Sequence, residues 1–238
     1  MRLASRRIRI AWTAGSVALL MMAPIAIDLF GTHASGVLPA RARERRAYGA
    51  SAAPILWMQE GDPKRISSKE SERIITGRAK SVLQALKAGN IAKFSTFVHP
   101  QKGVRFSPYA QVLPDEDLVI KQNQLVRTWS SKTRYKWGAY DGSGDPIRLT
   151  FRKYHRRFIF DHDFSRAESV VYNPEHMSRG NTPNNIPEIY PHSIAVEYHF
   201  SGFEERYSGH DWVSLWLVFE KKGSNWYLVG IVHDEWTI

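Results

Sequence analysis

The sequence predicts an α+β domain, with N-terminal helices packed on a curved antiparallel sheet and one hydrophobic leader helix ahead of them. Three observations carry this prediction. Ile74, Ile75, Ala79, Val82, Leu83 and Leu86 recur at three- and four-residue spacings, the stripe of an amphipathic helix. Ile194, Val196, Tyr198 and Phe200 alternate with Ala195, Glu197 and His199, the two-residue period of a half-buried strand. An uncharged run from Ile10 to Ile27 follows Arg2, Arg6, Arg7 and Arg9.

That run is about 27 Å long as a helix, close to the thickness of a hydrocarbon core. It reads as an uncleaved membrane anchor or as a long signal peptide, with Thr32-His33-Ala34 offering small residues for cleavage before Ser35. Residues 1–34 are thus a leader, and export is expected. The C-terminal domain then lies outside a single-pass anchor, or is secreted or periplasmic. Ser5-Arg6-Arg7 also permits a twin-arginine export signal, although two adjacent Arg are common in basic leaders. The formal charge of +10 does not make nucleic acid the favoured partner. Residues 1–46 carry eight Arg against Asp28 and Glu44, so most of the excess flanks the apolar run, where it serves membrane contact.

Residues 35–67 are rich in Ala, Gly, Pro, Ser and Arg and read as a linker, with Ile55 to Met58 as a short docking piece. Residues 68–238 form the globular domain. After the first helix, Gly89 is a stop and Asn90 a cap for a second, with Ile91, Phe94 and Phe97 on its apolar face. Gly103 to Tyr109 reads as extended, and Leu118 to Trp129 as a helix capped by Asp117. Asp141 to Pro146 is a turn cluster, and Thr150 caps a helix through Phe151, Tyr154, Phe158 and Ile159. A loop rich in Asn and Pro (173–191) leads to the alternating strand. Val213 to Glu220, apolar on both faces, is a central strand, and Gly223-Ser224-Asn225 turns it into Trp226 to His233. Hydrophobic residues at 43% supply core enough that the missing disulfides are not needed. The absence of cysteine excludes thiolate metal sites, a cysteine nucleophile and a lipid-modified N-terminal cysteine.

Helices before a run of antiparallel strands resemble the NTF2-like (cystatin-like) cone. The strings HPQKGVRFSPYA (99–110), WGAYDGSGDPIRLTF (137–151), GNTPNNI (180–186), VEYHFSGFEERYSGHDWVSLWLVFE (196–220) and WYLVGIVHDEWTI (226–238) resemble a family of uncharacterised bacterial envelope proteins, many of them lipoprotein-like. The resemblance implies an exported module of the cell envelope and transfers no catalytic residue. The chain departs from it at the leader, since without cysteine it cannot be lipid-anchored.

Several constellations are candidates for chemistry. His233, set in the phase of Tyr227, Val229 and Ile231, is a candidate general acid or base, with Asp211, His99 and Tyr109 as partners. A core histidine tied to a carboxylate explains it as well. Arg105, Tyr109, Trp137 and Tyr140 mix a cation with rings suited to a small anionic or ring-shaped ligand, against a reading as packed strand residues. Glu197 and His199 share a strand face; two ligands do not make a zinc site, and no metal is expected. Asp141, Ser143 and Asp145 begin a calcium-loop pattern, but Pro146 and Arg152 stand where its Gly and Glu are required. No phosphate loop, G-x-S-x-G or H-E-x-x-H occurs, so no cofactor is expected. The leading expectation is a non-catalytic envelope module for a ligand or protein partner; the alternatives are a small-molecule acid–base enzyme and a homodimer built on the aromatic strands. A reporter fused after residue 60 should be active only outside the cytoplasm; cytoplasmic activity would overturn the export reading.

Overall fold

The computed structural model describes residues 65–237, so the leader, residues 35–64 of the linker and the Ile55 to Met58 piece lie outside the described residues. Among the described residues no helix is long and apolar enough to cross a membrane. The first helix, α1 (Ser68–Lys87), starts where the Ser67 side chain accepts from Glu70 N, which satisfies one of the amides a helix start leaves free. Its stripe of Ile75, Ala79, Val82, Leu83 and Leu86 is buried. Gly89, at φ +61°, reverses the chain, and Asn90 caps α2 (Ile91–Ser95) through Lys93 N at 2.9 Å.

The strands are β1 (Val104–Ser107), β2 (Leu118–Ile120), β3 (Tyr135–Ala139), β4 (Pro146–Leu149), β5 (Ser169–Tyr172), β6 (Ser193–Phe200), β7 (Val213–Lys222) and β8 (Asn225–Glu235). Six of them form one sheet in the order β2-β1-β8-β7-β6-β5, antiparallel throughout except where β1 runs parallel to β8. The β3–β4 hairpin stands as a separate ribbon, turned by residues 140–145. Helices α3 (Leu125–Ser130), α4 (Phe151–Tyr154) and α5 (Ile186–Ile189) complete the elements. Thr150 caps α4, which widens into a π-helical turn at His155–Ile159.

The sheet is covered on both sides, as the apolar β7 requires. Ile194, Val196, Leu215, Leu217, Phe219, Leu228 and Ile231 join the core with α1, α2 and the α4 region. Ala195, Trp216, Val218, Val229 and Val232 pack instead with Met177, Ile186 and Tyr190 of the Asn- and Pro-rich segment. That segment, read from the sequence as a plain loop, is therefore a strap with its own short helix, α5.

Two expectations are corrected. Leu118 to Trp129 is not one helix: Leu118–Ile120 pairs with β1, a single 3-10 turn follows at Gln122–Gln124, and only then does α3 begin. A β-branched pair at a free sheet edge takes the ladder over its helical spacing. Asp117 caps nothing; its carboxylate accepts from Ser107 Oγ and from Leu113 N. The phase assigned to His233 is also wrong. Val218 pairs with Gly230 and Phe219 with Leu228, so Val229 is an extra residue, a β-bulge that breaks the alternation. His233 shares its face with Leu228 and Ile231, not with Val229.

Gly103 closes the turn into β1 at φ +79°, and a Cβ there would sit 2.5 Å from the Ile120 carbonyl oxygen. Gly142 has a similar φ of +75° but open space around it. Gly103→Ala should therefore cost about 3 kcal/mol or more, backbone clash added to the left-handed penalty, and Gly142→Ala only about 1 kcal/mol. Thermal denaturation of the two variants checks this; equal losses would contradict it.

Candidate functional site

Two polar clusters lie on opposite sides of the sheet at the end where β8 finishes. On the helix side, the chain leaves the π-helical turn and brings Asp161 and His162 under the loop that joins β6 to β7. That loop is held by Asp211, whose Oδ2 accepts from Phe203 N at 3.0 Å and Glu204 N at 2.8 Å. Gly202 lets the Asp211 carboxylate approach, because a Cβ there would lie 2.9 Å from Asp211 Oδ1. Burial works against ionisation of Asp211, but the amides of Glu204 and Phe203 outweigh it and hold its carboxyl below the ordinary value.

Together these segments and the last residues of β8 wall an open cleft of about 330 Å³, bounded by Asp161, His162, Phe203, Tyr207, Asp211 and Trp236 among others. The His162 ring stacks on Phe203 at 4.3 Å, and His210 meets Trp236 edge-on at 4.6 Å. Phe203, Tyr207 and Trp236 are 48%, 45% and 42% exposed.

Asp161 joins the cleft to the core. Its Oδ2 accepts from His162 Nδ1 at 3.0 Å and from His233 Nε2 at 3.3 Å, so each ring carries a proton on that nitrogen. Burial pushes the Asp161 carboxyl up, but the hydrogen bonds and charge of His233 and His162 prevail and keep it below the ordinary carboxylate value. His233 is fully buried, edge-on to Phe158 at 5.7 Å, and its Nδ1 has no hydrogen-bond partner. The space beyond it is filled. Trp137 stacks on Tyr154 at 4.0 Å, Phe106 and Phe151 close around the pair, and Phe158 packs against Tyr154 at 5.1 Å. Each aromatic pair is worth about 0.5–1.5 kcal/mol beyond area burial, so this plug is costly to open.

On the strap side, both oxygens of the buried Glu197 accept from Arg179, at 2.6 and 2.8 Å, and Oε1 also accepts from Ser214 Oγ. With the Ser214 proton so used, His199 Nδ1 donates to Ser214 Oγ at 2.8 Å. Burial and the Arg179 charge hold the His199 pKa below its usual value. Asp234 lies in the same cluster; burial, then the nearby Glu197 charge, push its carboxyl up to about 8 against the opposing pull of Arg179.

The residues singled out from the sequence are thus divided. His233 has a carboxylate partner, but it is Asp161; Asp211 sits across the cleft from Asp161 and pins the loop. His99 belongs to the far end of β8. Its backbone N donates to Leu228 O, five residues from His233 and on the order of 16 Å along the strand. Its Nδ1 accepts from Gln101 N and Lys102 N, so the ring is neutral there. Arg105 donates to the carbonyls of Pro114 and Asp117. Trp137 is core, donating to Leu149 O, while Tyr109 and Tyr140 flank Phe158 at 6.0 and 6.4 Å. Glu197 and His199 do share a face, linked through Ser214. Sequence reading passed over Asp161, His162, Phe203, Tyr207, His210 and Trp236. A signal was present, since three rings within Phe203 to Trp212 are dense for a segment otherwise made of Gly, Ser and charge.

Comparison with protein-family profiles, curated proteins and solved structures yields no match to this chain.

The raised pKa of Asp234 sets a pH dependence. From about pH 4, where an unfolded aspartate titrates, to about pH 8, the folded chain holds a proton that the unfolded chain has lost. This contribution to stability is complete at the acid end of the window and is lost as pH rises through it. Asp234→Asn should raise the melting temperature by several degrees at pH 8.5 and by progressively less toward pH 4. A constant difference across that range, measured by thermal denaturation, would refute the assignment.

Proposed function

We propose that the chain is an exported or membrane-anchored envelope protein whose globular domain is a non-catalytic ligand- or partner-binding module. The leader read from residues 1–34 and the resemblance to envelope proteins support the location. The architecture we infer is an NTF2-like cone. Its supports are the long and short helices that open the domain and the β1–β2 pair, which joins the later strands through a single parallel pairing, β1 with β8.

The observation that carries the binding reading is the contrast between the two sides of His233. The interior beyond it is plugged by Trp137, Tyr154 and Phe158, so a substrate has no room beside the ring. The cleft in front of it is open and walled by exposed rings on a loop pinned by Asp211. Exposed, positioned aromatic rings bind; a sealed imidazole does not turn over substrate.

A second reading, a small-molecule acid–base enzyme such as a hydrolase, dehydratase or isomerase, has one observation in its favour. Asp161 orients His233 while touching the cleft, and His233 Nδ1 is left without a partner. The two readings part on one experiment. Full-length protein extracted in mild detergent is incubated with a small-molecule extract of its host, desalted, and examined by native mass spectrometry. The binding reading expects an unaltered compound retained by the wild type and by His233→Gln but lost from Trp236→Ala. Turnover of a compound that His233→Gln abolishes would replace it with the enzyme reading.

A further inference from the structure

We propose that the cleft between the β6–β7 loop and the end of β8 binds a small organic cation, its ammonium group seated against Phe203, Tyr207 and Trp236 over Asp161 and Asp211. The inference rests on the binding reading above and names its ligand class.

The argument begins with exposed apolar surface. Among the described residues seven large hydrophobic side chains are exposed, and three of them, all aromatic, meet at this cleft. Scattered exposed hydrophobics need no explanation; three rings converging on one concavity do. They are also held in place. Phe203 is clamped by the His162 stack and by the Asp211 carboxylate on its amide, and Trp236 stands against His210.

Charge then selects the ligand. Four carboxylates border the cleft. Glu235 is neutralised by Arg157 and Glu204 by Arg206. Asp161 is hydrogen-bonded by the rings of His162 and His233 and Asp211 by backbone amides; among the described residues neither forms a direct ion pair with Lys or Arg, although the Arg157 charge acts on Asp161 and the Arg206 charge on Asp211. Four carboxylates against two guanidiniums thus leave the cleft an excess of negative charge behind a wall of rings. An anion is repelled from such a site, and a purely apolar ligand would cover the carboxylates without compensating them. A cation answers both features, because the ring faces and the carboxylates attract it alike. Tyr207 already draws one: the Arg206 guanidinium lies 4.7 Å from its ring centre.

The test compares choline, tetramethylammonium and n-butylamine with 3,3-dimethylbutan-1-ol, the uncharged carbon isostere of choline. Each is titrated calorimetrically into detergent-solubilised full-length protein at constant ionic strength, with methyl β-glucoside as a neutral ring-stacking probe. At least one cation should bind, and the isostere at least about tenfold more weakly. Trp236→Ala and Tyr207→Ala, both surface changes, should each weaken the cation about tenfold. Asp211→Asn, which keeps an oxygen for the Phe203 and Glu204 amides, should do the same. Tyr140→Ala, an exposed ring outside the cleft, should change nothing. Equal binding of choline and its isostere, or cation binding indifferent to Trp236 and Asp211, overturns the inference. Trp236-dependent binding of the isostere or the glucoside, with the cations silent, removes the cation and leaves the binding reading standing. If no probe binds in a Trp236-dependent way, both fall.

Discussion

Val229, one residue more than the partner strand can match, decides which side of the sheet each later side chain of β8 faces. Because β-strand side chains alternate, an insertion of one exchanges the two faces for everything beyond it. Downstream of the bulge, His233 points into the helix-side core and reaches Asp161, while Asp234 points under the strap toward Arg179 and Glu197. Without the bulge the imidazole would lie beneath the strap, and the carboxylate would face Phe158. Both polar clusters therefore depend on a backbone irregularity, and the β7–β8 ladder, paired on either side of it and buried on both faces from Val213 to Phe219, is what keeps it in register.

The two aspartates show what environment does to one chemical group. Asp161 and Asp234 are both largely buried, and burial alone raises the pKa of each. Asp161 accepts from two imidazoles, which stabilise its charge, so it stays ionised beneath the cleft. Asp234 faces Glu197, whose oxygens already take up the Arg179 guanidinium, so a second negative charge there has little to compensate it and the proton is retained. The sheet thus separates a charged acid on its open side from a protonated one on its closed side. The negative potential of the cleft is a product of that separation as much as of the number of acidic residues.

How much of this is legible in the sequence follows from how local each cause is. The stripe of α1, the Asn90 cap, the alternation of β6 and the apolar run of β7 are written in neighbouring residues, and the structure follows them. β2 is not, because Leu118 to Ile120 becomes a strand only where β1 offers its edge, and a helical spacing three residues further on masks it. The β3–β4 ribbon is as short as the turn within it, so the turn cluster at Asp141 to Pro146 is visible and the strands are not. The bulge leaves no mark at all, since Val229 fits either face. For the same reason His233 could be singled out but its partner could not. Asp161 arrives from 72 residues earlier in the chain, delivered by a π-helical turn that no periodicity announces.

The β6–β7 loop poses a last question: why so polar a segment keeps its rings in water. Apart from Trp212, which is buried, the large apolar rings of this loop stay 45–48% exposed, though the hydrophobic effect alone favours folding Phe203 and Tyr207 inward. The loop is instead tied by polar anchors at both ends, Glu168 on Ser201 and Asp211 on the amides of Phe203 and Glu204, with Ser208 and Gly209 in left-handed conformations between them. Anchors of this kind fix the backbone without covering the side chains. A binding surface gains from that arrangement, because rings already ordered before contact lose little conformational freedom when a ligand arrives. A loop serving only to connect two strands would need neither the anchors nor the rings, and their presence together supports the proposed recognition at this cleft over one in the filled interior.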